Sequence, residues 1–557
     1  MAASIHVTIP DVEYWKERVP CQMGCPIHTD AGRYVQLIAE GRYEEGYLTA
    51  RSPNPFASVC GRVCAAPCED RCRRGKIDAP ITIRALKRFV TDRFGVESTA
   101  PDTQDALFRG APEPGNKFAW HLPMQVEARK NVARGQKVAV IGSGPAGLSC
   151  AHDLALMGYA VTVFEAAGIA GGMLRYGIPE YRLPRSLIEK EIEKITFLGV
   201  DIRYNTPLSA EFGIAELRQQ GYEGVFLSVG TQRGRDLSVE GAQLDGVIKA
   251  IDYLLNINNG YRVNLGRRVL VIGGGFVAFD AARTALRGAA EEQTDLHSAV
   301  DAARTAVRGG AAEVHIASLE SFAEMPVLRS AQGHEEFEEA QREGIVFHPQ
   351  RGPKRFLGSN GKVSAVEFIG VNRTYDEHGR FNPQYDAAFS ETMEVDSVIL
   401  AIGQQTDLSF LKPSDNVALT PGRTIKVDPV TLATSAPGIY AGGDAAFGPR
   451  NIIDAVANGK QAALSLDAFL RGTPAEIAYT LSIEKIPTRI YTRPDDYEQW
   501  PREAAPAIDL QRRTGISEVE LGYTEEQARI QAERCLACHI QTIYDADKCV
   551  MCNRCVD

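Results

Sequence analysis

The sequence has no long apolar segment: no run approaches the ~20 consecutive apolar residues that a membrane-spanning helix requires. Its first residues also lack the basic start and apolar core of a secretory signal. Basic residues are in the minority, with 61 Lys and Arg against 71 Asp and Glu. Because proteins that bind nucleic acids usually carry a basic excess, this balance argues against that class. These absences predict a cytoplasmic protein that has no membrane span and binds no nucleic acid.

Cysteine is almost absent from the middle of the chain. Of the twelve cysteines, six lie between Cys21 and Cys72, five lie between Cys535 and Cys555, and only Cys150 lies in between. In a cytoplasmic chain, closely spaced cysteines more often bind metal than form disulfides. We therefore expect metal sites in both the N-terminal and the C-terminal part of the chain.

The first dinucleotide motif follows a buried strand at 138–141. Gly142, Gly144 and Gly147 have G-x-G-x-x-G spacing and open a helix. This spacing permits a tight turn, close approach of a pyrophosphate to backbone N–H groups, and close packing of helix on strand. The next strand ends at Glu165, where a carboxylate can accept hydrogen bonds from a ribose. The complete fingerprint predicts dinucleotide binding.

A second segment indicates which dinucleotide is bound there. A strand runs into Gly442, Gly443 and Asp444, and a helix begins near Asn451. The segment is similar to that of flavoprotein reductases with two dinucleotide domains, which implies that Asp444 contacts the ribityl chain and that the helix N-terminus faces the isoalloxazine. The helix dipole would stabilise the anionic reduced flavin. FAD is therefore predicted; an ordinary capped helix is the alternative, and it leaves the upstream fingerprint unexplained.

A second glycine motif predicts a nicotinamide site. Gly273 and Gly275, followed by Ala278, have the allowed spacing G-x-G-x-x-A. The strand after it leads to Glu320, where an NADP site commonly has arginine. An acid accepts a hydrogen bond from a free 2′-hydroxyl and repels a 2′-phosphate. The sequence thus predicts NAD(H) rather than NADP(H), with Arg329 as the residue that could instead meet a phosphate.

The N-terminal cysteines favour an iron–sulfur site over zinc or free thiols. Structural zinc sites usually show paired C-x2-C knuckles, whereas a [4Fe–4S] cube takes a close run of cysteines and a remote one. Between Cys60 and Arg93, nine Lys or Arg stand against four Asp or Glu. Such cations would raise the potential of an anionic cluster, and a solvated basic face is the alternative. The cysteines are Cys21, Cys25, Cys60, Cys64, Cys68 and Cys72.

The C-terminal cysteines include a ferredoxin-like C-x2-C-x2-C run. The run could hold one [4Fe–4S] cluster with either Cys535 or Cys538 as its fourth ligand. Its members are Cys549, Cys552 and Cys555.

Together these motifs resemble the family of the glutamate synthase small subunit, which is also found as a module in dihydropyrimidine dehydrogenase and in NADH-dependent ferredoxin:NADP oxidoreductase. The resemblance covers roughly residues 20–470 and includes CGRVCAAPCEDRC, GGMLRYGIPEYRLP, AEMP and AGGDAAFGPRNIIDAVANGKQAA. It implies FAD, a nicotinamide site and two to three [4Fe–4S] clusters, with hydride transfer by FAD and no catalytic side chain. The cofactor-binding residues so implied are Gly142, Gly144, Pro145, Ala146, Gly147, Glu165, Gly172, Met173, Gly443, Asp444, Asn451, Gly273, Gly275, Phe276, Val277, Ala278 and Glu320.

The resemblance also implies cluster ligands, with departures. Relatives place Gln or Glu as a ligand where this chain has Lys87, and a protonated lysine cannot serve. Relatives carry two cysteines ahead of the equivalent of Cys21, and a similar stretch lies here at 522–538, so Cys535 and Cys538 are expected to complete a cluster with Cys21. The implied first cluster leaves Cys21 and Cys60 unassigned and uses Cys25, Cys64, Cys68 and Cys72.

Two departures concern the nicotinamide site. Phe276 and Val277 stand where relatives usually have Asn and Thr, and Leu319–Glu320 replaces an NADP-type arginine pair. The chain also has no C-x2-C beside its flavin segments, which argues against a dithiol relay like that of thioredoxin reductase.

The predicted function is that of an oxidoreductase subunit passing electrons between NAD(H), FAD, [4Fe–4S] clusters and a protein partner. We expect it in a larger complex, such as an oxoacid oxidoreductase, with a catalytic or ferredoxin-like electron-accepting partner. The alternatives are a relay or assembly subunit with a nicotinamide site weakened by Phe276 and Val277, and an NADPH-dependent glutamate synthase-type small subunit.

The chain is too long for one hydrophobic core, and its alternation of strands, glycine turns and helices is typical of parallel α/β sheets. The predicted fold class is α/β, with two nested Rossmann-like domains, an N-terminal α-helical iron–sulfur domain and a C-terminal ferredoxin-like segment. The expected divisions are 1–125 for the helical domain and linker, 126–245 and 386–475 for FAD, 246–385 for NAD(H), and 476–557 for the linker and ferredoxin-like segment.

Overall fold

The computed structural model describes residues 18–98, 135–288, 311–474 and 500–540. The first range is a helical domain whose apolar side chains, Tyr34, Phe89 and Val90 among them, share one core. Asp30 caps a helix, because its Oδ1 accepts a hydrogen bond from Arg33 N at 3.0 Å. The helices are Pro20–Gly24, Ala31–Ala39, Tyr43–Arg51, Ala57–Val63, Pro67–Asp70 and Ile83–Phe94, with a 3₁₀ turn at Arg73–Lys76.

A five-stranded parallel sheet forms the next domain. Its strand order is β15-β4-β1-β2-β3, with strands numbered along the chain. Helices cover the sheet, and all of its strands except the short edge strand Asp201–Arg203 are nearly continuous apolar runs, as is usual for buried parallel strands. The strands are β1 (Lys137–Ile141), β2 (Ala160–Phe164), β3 (Asp201–Arg203), β4 (Tyr222–Leu227) and β15 (Ile439–Ala441). The helices are Pro145–Leu156, Met173–Tyr176, Arg185–Thr196, Ile214–Gln219, Asp444–Phe447 and Ile452–Arg471.

A second parallel sheet, of strand order β6-β13-β7-β8-β9, is nested in the first. The first sheet receives β15 only after the chain has completed the second, which confirms the predicted nested fold. The strands are β6 (Val247–Lys249), β7 (Arg268–Ile272), β8 (Glu313–Ala317), β9 (Val346–His348) and β13 (Ser397–Leu400). The helices are Ala250–Asn258, Phe276–Arg287 and Ala331–Arg342, with a 3₁₀ turn at Pro326–Arg329.

The second domain runs further than the predicted 246–385. β13 pairs in parallel with β6 and β7, so its residues belong to the second sheet and not to the first. Where the chain crosses between the domains, β5 (Arg233–Gly234) pairs antiparallel with β14 (Gln404–Gln405). A 3₁₀ turn at Pro413–Asp415 follows on the way back to the first sheet.

An antiparallel sheet, which the sequence patterns did not predict, packs on the second domain. Phe356, Val366 and Phe368 from this sheet share a core with Leu270 and Val398 from the parallel sheet. The antiparallel strands are β10 (Arg351–Ser359), β11 (Lys362–Tyr375) and β12 (Phe381–Glu394).

Residues 500–540, the C-terminal strap, return to the N-terminal helical domain. The strap contains a 3₁₀ turn at Leu510–Arg512 and the helix Glu525–Glu533. Thr524 and Gln527 form a reciprocal capping box at the start of this helix. Tyr523, Ala528 and Ala532 are buried in the same core as Tyr34 and Phe89. The strap therefore completes the core of the N-terminal domain.

The topology of each parallel sheet indicates where a dinucleotide would bind. Strand β1 lies between β2 and β4, and β7 lies between β8 and β13, so the strand order reverses beside each. Ligands of open parallel sheets bind outside the carboxyl ends of the strands at such a point. Both glycine turns directly follow these strands.

In the described part of the chain, none of the helices is both long enough and apolar enough to cross a membrane.

Candidate redox site

The turn after β1 has the shape that a dinucleotide phosphate requires. A Cβ on Gly147 would lie 2.0 Å from Gly142 O, so helix and strand approach closely only because this residue is glycine. Gly142 has a φ of +99°. A Cβ on Gly144 would instead meet no atom within 4 Å, so this glycine borders open space. The turn is followed by the helix that begins at Pro145, whose first N–H groups can bind an anion.

Other predicted flavin residues lie around the same turn. A Cβ on Gly172 would lie 2.8 Å from Gly144 Cα, which places the loop before Met173 against the turn. Glu165 is buried at the end of β2. Its Oε2 accepts a hydrogen bond from Ser143 N at 2.9 Å, and its Oε1 accepts one from Ala167 N at 2.8 Å. The carboxylate is thereby oriented beside the turn, with acceptor capacity left for a ribose.

The segment after β15 closes this site from the other side. A Cβ on Gly443 would lie 3.1 Å from the Ala146 side chain, so the segment meets the first turn of the β1 helix. Asp444 accepts hydrogen bonds from Thr231 Oγ1 at 3.2 Å and from Arg450 N at 3.1 Å. Burial raises the pKa of Asp444 above its usual value. Asn451 is the N-cap of the helix Ile452–Arg471. Thr231 was not predicted, because nothing near it in the sequence resembles a motif.

The turn after β7 repeats this geometry in the second domain. Gly273 has a φ of +140°, and a Cβ on it would lie 2.4 Å from Ala401 O. Gly275 caps the following helix, and a Cβ on it would meet no atom within 4 Å. Ala278 is fully buried, as close packing of helix on strand requires. The side chains of Phe276 and Val277 pack against the core of the domain. Because the helix begins at Phe276, the backbone N–H groups of both residues lie in its first turn.

Glu320 lies beside the second glycine turn. Its Oε2 would be 3.4 Å from a Cβ on Gly274, and its side chain is buried, which raises its pKa. Arg329 donates a hydrogen bond to Glu324 O at 3.2 Å, and its guanidinium lies 5.2 Å from the Tyr375 ring centre. Arg329 also interacts electrostatically with Glu320, so the acid and the arginine both lie near the turn, with the Glu320 carboxylate beside Gly274.

The N-terminal cysteines fall into two groups. The inner thiol group contains Cys25, Cys60, Cys64 and Cys68. The Cys60 and Cys64 thiols hydrogen-bond one another, and Cys68 interacts electrostatically with Cys25 and Cys64. Burial raises the pKa of the Cys68 thiol. The implied first cluster contained Cys72 and not Cys60, so the folded chain divides these cysteines differently.

The inner thiol group has further features of a cluster site. Ala66 has a left-handed φ of +52°, and its backbone N–H donates a hydrogen bond to Cys64 Sγ at 3.4 Å. Asn54 is fully buried, and its side-chain amide hydrogen-bonds Cys60. Lys87 is buried and interacts with Cys60, Cys64 and Cys68. N–H donors and a cation suit the negative charge of ligated sulfur.

The outer thiol group contains Cys21, Cys72, Cys535 and Cys538, which line one pocket. Two of these cysteines come from the N-terminal domain and two from the C-terminal strap. The strap resembles the stretch that carries two cysteines ahead of the equivalent of Cys21 in relatives, and on that basis we expected Cys535 and Cys538 to lie near Cys21. Cys549, Cys552 and Cys555 lie outside the described residues.

Neither group is arranged for a single metal ion. Among the described residues, no three His, Cys, Asp or Glu side chains converge as one ion would require. A zinc ion needs its sulfurs about 2.3 Å from one point. A [4Fe–4S] cube binds each thiolate at a different iron, so its ligands stand further apart. The residues present therefore fit a cluster better than zinc.

Comparison with known proteins agrees with this geometry. Residues 136–459, more than half of the chain, match the family described as pyridine nucleotide-disulphide oxidoreductase. The chain belongs to this family. Residues 16–99 match the dihydropyrimidine dehydrogenase domain II, described as holding a 4Fe-4S cluster. Among the described residues of the flavin domain, Cys150 is the one cysteine, and it is fully buried.

Relatives extend the similarity over most of the chain. The subunit beta of the NADP(+)-dependent formate dehydrogenase of Moorella thermoacetica is 38% identical over 534 residues, which cover 93% of this chain and 70% of the relative. The glutamate synthase [NADPH] small chain of Bacillus subtilis is 30% identical over 463 residues, covering 81% of this chain and 86% of the relative. The resemblance to the glutamate synthase small subunit is thereby confirmed.

Among solved structures, Mycobacterium tuberculosis FprA in complex with NADPH superimposes with a TM-score of 0.50. It is 19% identical and covers 60% of this chain and 85% of its own, so this likeness shows the fold alone. The family matches and the relatives together identify the chain as an NAD(P)-dependent oxidoreductase that uses FAD and [4Fe–4S] clusters.

Proposed function

We propose that the chain passes electrons between NAD(H), FAD, [4Fe–4S] clusters and a protein partner, as one subunit of a larger complex. The observation that carries this proposal is a continuous apolar core. It contains Cys25, Cys60 and Cys64 of the inner thiol group together with Val138 and Val140 of β1. A cluster on the inner thiols would therefore lie against the flavin domain, where a short electron path is available.

The residues around β1 would bind FAD. The N–H groups at the start of the helix Pro145–Leu156 would receive the pyrophosphate beside Gly144, and Glu165 would accept hydrogen bonds from the ribose. Asp444 would contact the ribityl chain. The helix that begins after Asn451 would place its positive end near the flavin and favour its anionic reduced form. When bound, FAD exchanges a hydride with the nicotinamide and single electrons with the clusters.

The second glycine turn would bind the nicotinamide nucleotide through Gly273, Gly275 and the N–H groups of Phe276 and Val277. We propose NAD(H), because the buried Glu320 carboxylate lies where a 2′-phosphate would be repelled. The two relatives described above are named for NADP(+) and NADPH. The acid at this position is the observation that supports our proposal of NAD(H) for this chain.

The inner thiol group would hold a [4Fe–4S] cluster through Cys25, Cys60, Cys64 and Cys68. Cys60 would serve as the fourth ligand, since the side chain at the position of the non-cysteine ligand in relatives is the buried Lys87. The Lys87 ammonium would offset part of the cluster charge. A further site on Cys549, Cys552 and Cys555 stays a prediction.

The partner would be a catalytic subunit or a ferredoxin-like electron acceptor. One relative is itself named as a subunit beta of a formate dehydrogenase. An oxoacid oxidoreductase is our proposed example of the larger complex. Its catalysis, like that of a formate dehydrogenase, releases or consumes electrons, which this chain would exchange with the nicotinamide.

The test is an anaerobic titration of the FAD-loaded protein with NADH, followed at the flavin absorbance. We expect NADH to bleach the flavin and the cluster absorbance to fall with it. Iron analysis should give at least about four irons per chain, the content of one [4Fe–4S] cluster. A protein that retains FAD but is bleached by neither NADH nor NADPH would contradict the proposal. It would instead support a relay or assembly subunit with a weakened nicotinamide site.

A further inference from the structure

We infer that Tyr375, the last residue of β11 in the antiparallel sheet, is a specificity-determining residue of the nicotinamide site. By holding Arg329 on its ring, it makes the site favour a ribose with a free 2′-hydroxyl over one with a 2′-phosphate. The place of the nucleotide, beside the second glycine turn, rests on the proposed function. The role of Tyr375 rests on contacts that the fold makes between distant segments of this chain.

The antiparallel sheet fixes the loop that carries the acid Glu320. Thr374, the buried neighbour of Tyr375, donates a hydrogen bond from its Oγ1 to Leu319 O at 3.0 Å. Gln350, directly before β10, donates one from its backbone N–H to Glu320 O at 3.1 Å. Contacts at both strands therefore hold the backbone of residues 319 and 320, and β11 brings its last residue to the same loop.

Tyr375 contacts both charged side chains near the second glycine turn. The Arg329 guanidinium lies over its ring, 5.2 Å from the ring centre, which is within the range of a cation–π contact. The Tyr375 hydroxyl donates a hydrogen bond to the Glu320 carboxylate. The Phe381 ring lies edge-on to the Tyr375 ring, with 6.2 Å between the ring centres. The tyrosine is thus held among three neighbours, of which one is the acid and one the arginine.

Arg329 lies close enough to the glycine turn to affect binding. It ends a 3₁₀ turn in which Val327 N donates a hydrogen bond to Gly274 O at 3.0 Å. Its guanidinium donates a hydrogen bond to Glu324 O at 3.2 Å and interacts electrostatically with Glu320. The five N–H donors of an arginine also suit a phosphate, which arginine commonly binds through two parallel hydrogen bonds. Arg329 is therefore a cation that a 2′-phosphate would recruit.

The two ribose substituents make different demands on these contacts. A 2′-hydroxyl donates a hydrogen bond to Glu320 and leaves Arg329 on the Tyr375 ring. A 2′-phosphate meets the negative charge of Glu320, and Arg329 neutralises it only after leaving the ring. Tyr375 therefore adds to the repulsion by the acid, because it keeps the arginine occupied. Removal of the ring frees Arg329 and also removes a hydrogen-bond donor from Glu320.

The test measures equilibrium binding of NAD+ and NADP+ to the full-length, FAD-loaded protein in its oxidised state, in which no hydride is transferred. Isothermal titration calorimetry gives the two dissociation constants. In Tyr375→Leu, which removes both ring and hydroxyl, we expect the Kd for NADP+ relative to that for NAD+ to fall about tenfold. In Tyr375→Phe the ring still holds Arg329, so the ratio should fall no more than about threefold, through loss of the hydroxyl at Glu320.

A double-mutant cycle identifies the residue through which Tyr375 acts. Arg329→Met removes the guanidinium and keeps an unbranched side chain. In that background, Tyr375→Leu should lower the ratio no further than Tyr375→Phe does alone, because no arginine remains to be released. The matched control is Tyr261→Leu, which removes an exposed tyrosine that lies before β7, at the opposite end of this strand from the glycine turn. The control should leave both dissociation constants unchanged.

FAD content and melting temperature show that the variants are folded. Two outcomes would overturn the inference: a wild-type ratio of the two dissociation constants in Tyr375→Leu, or a gain in NADP+ binding that persists in full when Arg329→Met is also present. A wild type that binds NADP+ more tightly than NAD+ would count against the proposed NAD(H) preference instead, and the cycle would still measure what Tyr375 contributes. A wild type that binds neither nucleotide would overturn both.

Discussion

At the scale of single residues, our proposal of NAD(H) rests on one buried acid. Glu320 lies beside the second glycine turn with its carboxylate close to Gly274. A 2′-phosphate at such a position would meet like charge, whereas a 2′-hydroxyl could donate a hydrogen bond to it. Sequence spacing located this acid, and the fold placed it at the turn.

We expect Glu320→Gln to raise the ratio of kcat/KM for NADPH to kcat/KM for NADH about tenfold, equivalent to ~1.4 kcal/mol. The change removes the negative charge and keeps the size of the side chain. Steady-state reduction of an artificial acceptor by each nicotinamide measures the ratio. Glu338→Gln, which alters an exposed acid of the same domain that contacts Arg342, is the control and should leave the ratio unchanged. A wild type that prefers NADPH tenfold would refute the NAD(H) assignment.

Lys87 shows how one residue changes the expected chemistry of a site. A protonated lysine cannot replace the Gln or Glu that relatives use as a cluster ligand, so the sequence implied no ligand from this position. In the folded chain Lys87 is buried, with its Nζ 5.8 Å from the centre of the Tyr34 ring. It interacts with Cys60, Cys64 and Cys68. We therefore propose that Lys87 offsets part of the negative charge of a cluster here and that Cys60 is its fourth thiol ligand.

At the scale of secondary-structure elements, one helix caps another across a domain boundary. The helix Ala57–Val63 follows Phe56, whose side chain cannot cap it. Glu191, on the helix Arg185–Thr196 of the flavin domain, accepts a hydrogen bond from Ser58 N at 2.8 Å. The Glu191 side chain is buried, and this burial raises its pKa to about 7. An element of the flavin domain thus stabilises the cysteine-bearing helix.

The raised pKa predicts a pH dependence of thermal stability. Because Glu191 binds its proton more tightly in the folded state, its stabilising contribution is complete below the usual carboxyl pKa of about 4.3. It is lost as the pH rises through about 7. Glu191→Gln keeps an oxygen acceptor for Ser58 N without an ionisable group. We expect the fall in melting temperature between pH 6 and pH 8 to be about 3 °C smaller in this variant.

Calorimetry at pH 6 and pH 8 provides the measurement. Glu189→Gln on the same helix is the control, because the Glu189 side chain is about half exposed and pairs with Arg175. An identical pH dependence in Glu191→Gln and the wild type would show that Glu191 does not titrate in this range.

At the scale of the whole molecule, buried ion pairs join the two dinucleotide domains. Arg182, from the flavin domain, contacts Asp280 at 2.6 Å and Glu336 at 2.8 Å in the second domain. Glu343 of the second domain also contacts Arg513 of the strap, at 3.0 Å. Removing one partner from a buried pair leaves a charge unpaired at high cost. The network therefore holds the second domain in one orientation relative to the flavin domain.

We expect Arg182→Met to loosen this orientation. Reduction of the flavin by saturating NADH should slow about tenfold, since hydride transfer depends on the alignment of the two rings. Amide exchange in residues 276–287 and 331–342 should become faster. Stopped-flow absorbance and hydrogen–deuterium exchange measure the two effects. Arg342→Met, which removes an exposed arginine from the same helix as Glu336, is the control. Unchanged reduction and exchange in Arg182→Met would contradict this role.

Much of the fold and the dinucleotide sites could be predicted because their signals are local. Gly142, Gly144 and Gly147 lie within six residues of one another, next to the strand and helix that they join. The nested order of domains followed from the positions of two such units. The antiparallel sheet β10–β12 was not predicted, since its exposed strand β12 lacks a clear apolar alternation. Thr231 was missed because its contact with Asp444 joins residues far apart in the sequence.

The sequence by itself determined the cofactor class: glycine spacing and cysteine runs require particular backbone turns and ligand atoms, and both are properties of short segments. Only the tertiary structure decided how the cysteines are grouped. Cys72 is close in sequence to Cys68, yet in the folded chain it lines the same pocket as Cys535 and Cys538. The reason is that the strap packs its apolar residues into the N-terminal core and pairs Arg534 with Asp78. Which thiols meet depends on long-range packing and charge, which residue spacing does not encode.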